Sequence, residues 1–180
     1  MTSKHNSGKS ILFKCICGFI RPQKGTIRVN GKYIGKEQDF PENTGILIES
    51  PGFIPYYSGY KNLKLLADLK GKIGKEEILR YMDQMDILHA RNKSVKKYSL
   101  DMRQRLAIVQ AVMEEPELLI MDEPMNALDK EGIVQMQEFF QELKQKGVTI
   151  LLTSHNFEDI ELLCERVFEM DHGKLQEFRV

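Results

Sequence analysis

The chain has 180 residues, and its 26 Lys and Arg are balanced by 26 Asp and Glu, so the formal net charge is zero. That length suits one domain with a true core, and the even charge gives no pull toward nucleic acid or an anionic membrane surface. No apolar run approaches the roughly 20 residues that span a bilayer, and the start, MTSKHNSGKS, lacks the apolar stretch of a secretory signal.

Ser10 to Ile20 predicts a mostly buried helix, stopped by Gly18 and Pro22. Cys15 and Cys17 point in different directions on it. With Cys164 they form no ligand pattern, and all three read as reduced core thiols of a cytosolic protein. Thr26 to Ile34 alternates around Asn30-Gly31, a strong hairpin signal. Gly45 to Glu49 is a short buried strand ended by Ser50-Pro51-Gly52. From Gly59 to Met113 apolar residues recur at three- and four-residue spacing, which predicts helices. Leu118 to Met121 is a strand, Lys130 to Gln145 a helix, and Val148 to Thr153 a continuous apolar strand. Asn156 to Glu165 is a helix, and Val167 to Met170 and Leu175 to Phe178 flank the turn Asp171-His172-Gly173. The alternation predicts an α/β fold with a parallel core, 1–55 and 115–180, and a helical subdomain, 56–114, inserted between its strands.

Two places carry chemistry. Gly8-Lys9-Ser10 ends a phosphate-loop pattern, with Ser3 standing where the first Gly of that pattern belongs. The candidate nucleotide contacts are Ser3, Asn6, Ser7, Gly8, Lys9, Ser10 and Ile11. Backbone N–H groups from Ser7 to Ser10 can face phosphate oxygens at the positive end of a helix. Lys9 would neutralise the β- and γ-phosphates, and the Ser10 hydroxyl would reach Mg²⁺. A Gly-Lys-Ser alone is common at a helix start. Its weight comes from Asp122-Glu123 at the carboxyl end of a buried strand, where ligands sit in open α/β sheets. Only Met1-Thr2 precede Ser3, so the strand expected to carry the loop is absent, and the chain reads as N-terminally truncated with an exposed apolar sheet edge.

Gly-Lys-Ser, ELLIMDEP, the following NALD and the later TSH together resemble the ATP-binding subunits of ABC transporters. The likeness covers essentially the whole chain, and YSLDMRQRL beside the DEP strand makes it specific. It implies a P-loop NTPase-like fold lacking its N-terminal strands, with ATP and Mg²⁺ as cofactors. By resemblance, Asp122 holds Mg²⁺ through water, Glu123 is the general base, and His155 is the switch histidine at the γ-phosphate. Ala127-Leu128-Asp129 would be the loop that crosses to a partner subunit. Ser99, Leu100, Asp101 and Met102 would form the signature motif that caps the partner's ATP. Asp101 replaces a usual Gly there, so the expectation is a weakened nucleotide sandwich, from added bulk and negative charge. Glu49 takes the place of the usual Q-loop glutamine. GILIESPGFIPYYSGYKNLKLL is similar to the glutamate variant of bacterial lantibiotic-immunity and related peptide exporters. Its carboxylate would ligate Mg²⁺, and the loop after it would contact a membrane subunit.

The resemblance implies an ATP-hydrolysing exporter subunit, working as a homodimer or heterodimer on a transmembrane permease at the inner face of the cell membrane. The alternative is a truncated or degenerate relative without ATPase activity, kept as a binding or regulatory module or as a gene fragment. A soluble ABC ATPase of DNA repair or translation ranks last, because coiled-coil arms and a second cassette are lacking. Lys96, Lys97, Arg103 and Arg105 read as a solvated helix face, not a nucleic-acid patch. Met102, Met113, Met121, Met125 and Met136 read as core and interface filler. No adenine contact is assigned.

Overall fold

The computed structural model describes residues 8–49 and 52–178, so Ser3, Asn6 and Ser7 lie outside the described residues. Helix α1 (Lys9–Ile16) starts after Gly8, whose φ of 103° is in the left-handed region. It is shorter and less buried than expected, because Gly18 (φ 81°) turns the chain away early and Ile11 is 60% exposed. Next come β1 (Arg28–Val29) and β2 (Lys32–Tyr33), paired antiparallel. Asn30 (φ 48°) and Gly31 (φ 84°) supply the mirror-image turn that the Asn-Gly pair favours. Strand β3 is Thr44–Leu47.

The helical stretch breaks into α2 (Gly59–Lys70), α3 (Lys75–Gln84), two 3-10 turns at Leu88–Ala90 and Val95–Lys97, and α4 (Leu100–Val112). Ser58 caps α2 by accepting from the Lys61 N–H, and the left-handed Gly71 ends it. Strand β4 (Leu118–Met121) and helix α5 (Lys130–Gln145) fall where the pattern put them. Strand β5 (Thr149–Leu152), helix α6 (Phe157–Leu163) and the hairpin β6 (Val167–Asp171) and β7 (Lys174–Phe178) complete the described chain.

Among the described residues the central sheet has three parallel strands in the order β3-β4-β5, and Thr44, Leu118 and Thr149 lie side by side. Side chains alternate across a strand, and β4 uses both faces. Leu119 and Met121 join the large core with Leu63, Met82, Leu106 and Phe140. Leu118 and Ile120 point the other way, onto Phe13 and Cys17 of the α1 segment. The result is helices on both faces of a buried sheet, which explains why β4 reads as an unbroken apolar run.

Helix α4 lies against the sheet as well as against α3, so one continuous apolar cluster runs from Leu63 through Leu106 to Phe140. Gly45 permits that contact. A Cβ there would sit 2.0 Å from the Ala111 carbonyl oxygen and 2.7 Å from Leu119 Cδ2. The hairpin β6-β7 forms its own sheet. Between it and β5 is an apolar cleft of about 220 Å³, bounded by Leu12, Ile150, Leu152, Ile160, Val167 and Met170. No helix among the described residues is long and apolar enough to cross a membrane.

Cys17 is fully buried, and burial pushes its thiol up to about 11. Among the described residues the cysteines are free. Of the five core methionines named above, Met113, Met121, Met125 and Met136 are buried and Met102 packs against the cluster.

Candidate functional site

The carboxyl ends of β4 and β5 meet the amino end of α1. The β4 ladder continues one residue beyond the strand, with the Asp122 N–H donating to the Leu47 carbonyl at 2.7 Å. Asp122 is thereby fixed beside Ser10, whose Oγ donates to Asp122 Oδ2 at 2.5 Å. Asp122 Oδ1 accepts from Thr153 Oγ1 at 2.6 Å, and that same hydroxyl oxygen accepts from the Glu123 N–H at 2.9 Å. Thr153 thus grips both acidic residues. Sequence reasoning missed it, although the parallel register sets Leu152 opposite Met121 and hence Thr153 opposite Asp122.

The backbone leaves β4 abruptly. Glu123 has φ 52°, a left-handed conformation that costs free energy in a residue with a Cβ. Neighbouring bonds hold it there. Gln104 Nε2 donates to the Pro124 carbonyl at 2.8 Å, and the Asn126 N–H donates to the Glu123 carbonyl at 3.1 Å. The turn aims the Glu123 carboxylate at His155, with Nε2 to Oε1 at 3.0 Å. Burial raises the Glu123 carboxyl above its ordinary value of 4.5. The nearby His155 and Lys9 charges pull it back, and Asp122 pushes it further up. A carboxylate made more basic by its surroundings suits proton abstraction near neutral pH.

Lys9, Ser10, Asp122, Glu123 and His155 are therefore gathered in one place. Gly8 adjoins this group, and the other described candidates lie outside it. Gly8 sits at the α1 start, packed so that a Cβ would lie 3.5 Å from Met170 Sδ. Ile11 points outward. Glu49 (φ 61°) is 64% exposed and forms an ion pair with Lys14, Nζ to Oε1 at 2.5 Å, one helical turn from Ser10.

Ser99 is the N-cap of α4, its Oγ accepting from the Met102 N–H at 3.1 Å. Leu100 is 69% exposed beside it. Asp129 caps α5 by accepting from the Gly132 N–H at 2.8 Å.

The basic cluster needs a correction. Arg105 is not on a solvated face but 7% exposed. Its Nε donates to both carboxylate oxygens of Asp101 at 3.1 Å, and its Nη1 donates to the Met85 carbonyl at 3.1 Å and to Gln135 Oε1 at 2.6 Å. A buried guanidinium must find such acceptors. The helical spacing alone does not show them, because Met85 and Gln135 are 20 and 30 residues away. Asp101 is accordingly turned along its own helix, with its charge matched inside the chain.

An ABC transporter family profile matches residues 5–126. The ABC transporter ATP-binding protein YybJ of Bacillus subtilis, itself uncharacterized, is 37% identical over 96% of this chain and 79% of its own length. The bacitracin transport ATP-binding protein BcrA of Enterococcus faecalis is 35% identical over 98% of this chain, which spans 58% of that protein. The lantibiotic transport ATP-binding protein SrtF of Streptococcus pyogenes is 30% identical over 95% of this chain and 73% of its own. In structure, the dimeric bacterial ABC transporter cassette MJ0796 matches with a TM-score of 0.84 at 18% identity, over 98% of this chain and 83% of that one, a likeness of fold.

Proposed function

The chain belongs to the ABC transporter family of ATP-binding proteins, and on that premise we propose that it binds and hydrolyses magnesium-ATP as one half of a dimer, driving export through a separate membrane subunit. The observation that carries this reading is the linked set Ser10–Asp122–Thr153–Glu123–His155 at the carboxyl edge of a parallel sheet.

The Ser10 hydroxyl and Asp122 carboxylate offer two hard oxygen donors side by side, the sparse set that magnesium takes while keeping water and phosphate ligands. Those two residues would hold the ion, which when bound neutralises phosphate charge. Lys9, at the α1 start, adds a positive charge and N–H donors on the same side. Glu123 orients the attacking water and takes its proton, helped by its raised basicity. His155, an exposed imidazole 3.0 Å from that carboxylate, contacts the γ-phosphate and keeps Glu123 in position. Phosphoryl transfer needs this positioning and charge matching rather than a covalent nucleophile.

Ser99 and Leu100 lie at an exposed helix start and would serve the ATP of the opposite subunit. The dimer is a homodimer or a heterodimer with a second ATP-binding subunit. A permease would hold it on the inner face of the membrane through the segment after Glu49. The names of BcrA and SrtF, bacitracin and lantibiotic transport, favour a peptide antimicrobial as cargo.

The test is magnesium-dependent ATP binding and turnover by the purified chain, compared with Glu123→Gln. Tight binding in both proteins with turnover only in the first supports the reading. An absence of magnesium-dependent binding overturns it and leaves a degenerate, non-hydrolysing relative.

A further inference from the structure

Asp159 has no part in the chemistry above, yet it is 2% exposed, near the amino end of α6. A buried carboxylate is costly unless its oxygens are bonded. Both are: Gln137 Nε2, from α5, donates to Oδ1 at 2.8 Å, and Ser154 Oγ donates to Oδ2 at 3.0 Å. Ser154 immediately precedes His155. Its hydroxyl has one proton to give, and the carboxylate at 3.0 Å is better placed than the Asn156 carbonyl at 3.4 Å. The same oxygen accepts from the Asn156 N–H at 3.0 Å. Bonds to Ser154 thus flank His155 on both sides.

We propose that Asp159 is a positioning residue for His155, tying the turn between β5 and α6 to helix α5 through Ser154 and Gln137. The imidazole is 44% exposed, and its place opposite Glu123 also depends on how firmly the backbone on either side is held. Thr153, two residues before His155, is held from the Asp122 side, and Ser154, just before it, is held by Asp159 and in turn accepts from the Asn156 N–H just after it. What this arrangement requires is two acceptor contacts, not a negative charge. In Asp159→Asn, Gln137 can rotate its amide so that Oε1 accepts from the new NH₂ group, while Ser154 still donates to the remaining oxygen. In Asp159→Ala both contacts go.

The functional part of this proposal rests on the reading of His155 as a γ-phosphate contact, so the primary measurement is made on the full chain without nucleotide. The His155 imidazole signal is followed by NMR, and amide hydrogen exchange is followed at Ser154, His155 and Asn156. Asp159→Ala is expected to shift and sharpen that imidazole signal and to speed local exchange about tenfold or more, with exchange in β4 unchanged. Asp159→Asn is expected to restore both. If Asp159→Ala fails to fold, Ser154→Ala removes one arm alone and is expected to give a smaller change of the same kind.

With magnesium-ATP, kcat is expected to fall about tenfold in Asp159→Ala while KM changes less than about twofold, the pattern of a lost transition-state contact. An unchanged imidazole signal and unchanged exchange at residues 154–156 would overturn the proposal. A response in those two signals from a chain that does not hydrolyse ATP would leave the anchor standing and sink only the hydrolytic reading.

Discussion

Replacing Asp101 with Gly restores the residue that the signature motif usually carries, and the structure predicts that it destabilises the chain. Removing one member of a buried ion pair costs about 3–5 kcal/mol when the other charge is left unmatched. That range must be discounted here. Asp101 keeps 33% of its side chain exposed, and Arg105 retains the Met85 carbonyl and Gln135 Oε1 as acceptors. A partly solvated pair with other acceptors nearby leaves about 1.5–2 kcal/mol. Losing an acid in the first turn of α4 adds about 0.3–1 kcal/mol from the helix dipole. The total is about 2–3 kcal/mol, a large share of the roughly 5–15 kcal/mol that holds a typical domain folded. With a urea m value of about 2 kcal/mol/M, the unfolding midpoint should drop by about 1–1.5 M.

Circular dichroism of urea unfolding at fixed salt measures the drop. Asp101→Asn should fall between the two proteins, since it keeps a side-chain acceptor but not the charge. Combining Asp101→Gly with Arg105→Met should recover part of the loss, because the stranded charge is gone. A midpoint for Asp101→Gly equal to or above that of the parent would refute the counter-ion argument. ATP-driven dimerisation is a separate readout of the same variant. An increase there alongside lower stability would fit a Gly easing the approach to the partner's phosphate, and no increase would remove the idea of a weakened sandwich.

Glu123→Gln should abolish turnover, by about a hundredfold or more, while preserving ATP binding. It also carries a stability signature. The folded-state carboxyl is raised above 4.5, so the native chain binds a proton that the unfolded chain has lost. Stability therefore falls as pH rises from 4.5 through the raised value, and the burial penalty is fully present above it. Glu123→Gln should gain on the parent in unfolding midpoint at pH 7 and lose that gain as pH falls toward 4.5; a gap independent of pH would contradict the assignment. Glu49 is paired with Lys14 and stands outside the Ser10–Asp122 pair, so Glu49→Ala should keep the parent's magnesium requirement for turnover; a raised requirement would bring Glu49 into the ligand set. Gly45→Ala drives a methyl group to 2.0 Å from the Ala111 carbonyl, so the strand or α4 must shift. A loss of at least about 2 kcal/mol is expected in urea unfolding, and a neutral result would mean that this contact yields easily.

The central strands were legible because their chemistry is redundant. In β4, four apolar residues followed by Asp-Glu state burial, length and direction together. Lys130 to Gln145 was equally plain, with a capping Asp before it and a helical apolar face along it. What escaped were the partners fixed by tertiary contact. Arg105 has the local pattern of a surface residue, and its burial is decided by Met85, just past the end of α3, and by Gln135 on α5. Asp159 reads as one more acid in an acidic helix until α5 brings Gln137 to it. The early end of α1 reflects Gly18, where a side chain would meet the Asp39 carbonyl 21 residues away, and no local signal carries that distance.

The register of the parallel sheet also sets an order of assembly. Leu118 and Thr149 are 31 residues apart in the chain, whereas Thr44 and Leu118 are 74 apart. Closing the longer loop costs about 0.8 kcal/mol more entropy. Pairing of β4 with β5 through α5 is therefore favoured as the earlier event. On the same count the β3 strand is favoured to join later, across the longer segment that holds α2 to α4. Parallel pairing over such separations is slow, and the Asp122 carboxylate acquires its Ser10 and Thr153 partners from opposite sides of that sequence. The candidate site is thus a late product of folding, completed only when the two ends of the chain have found the strand between them.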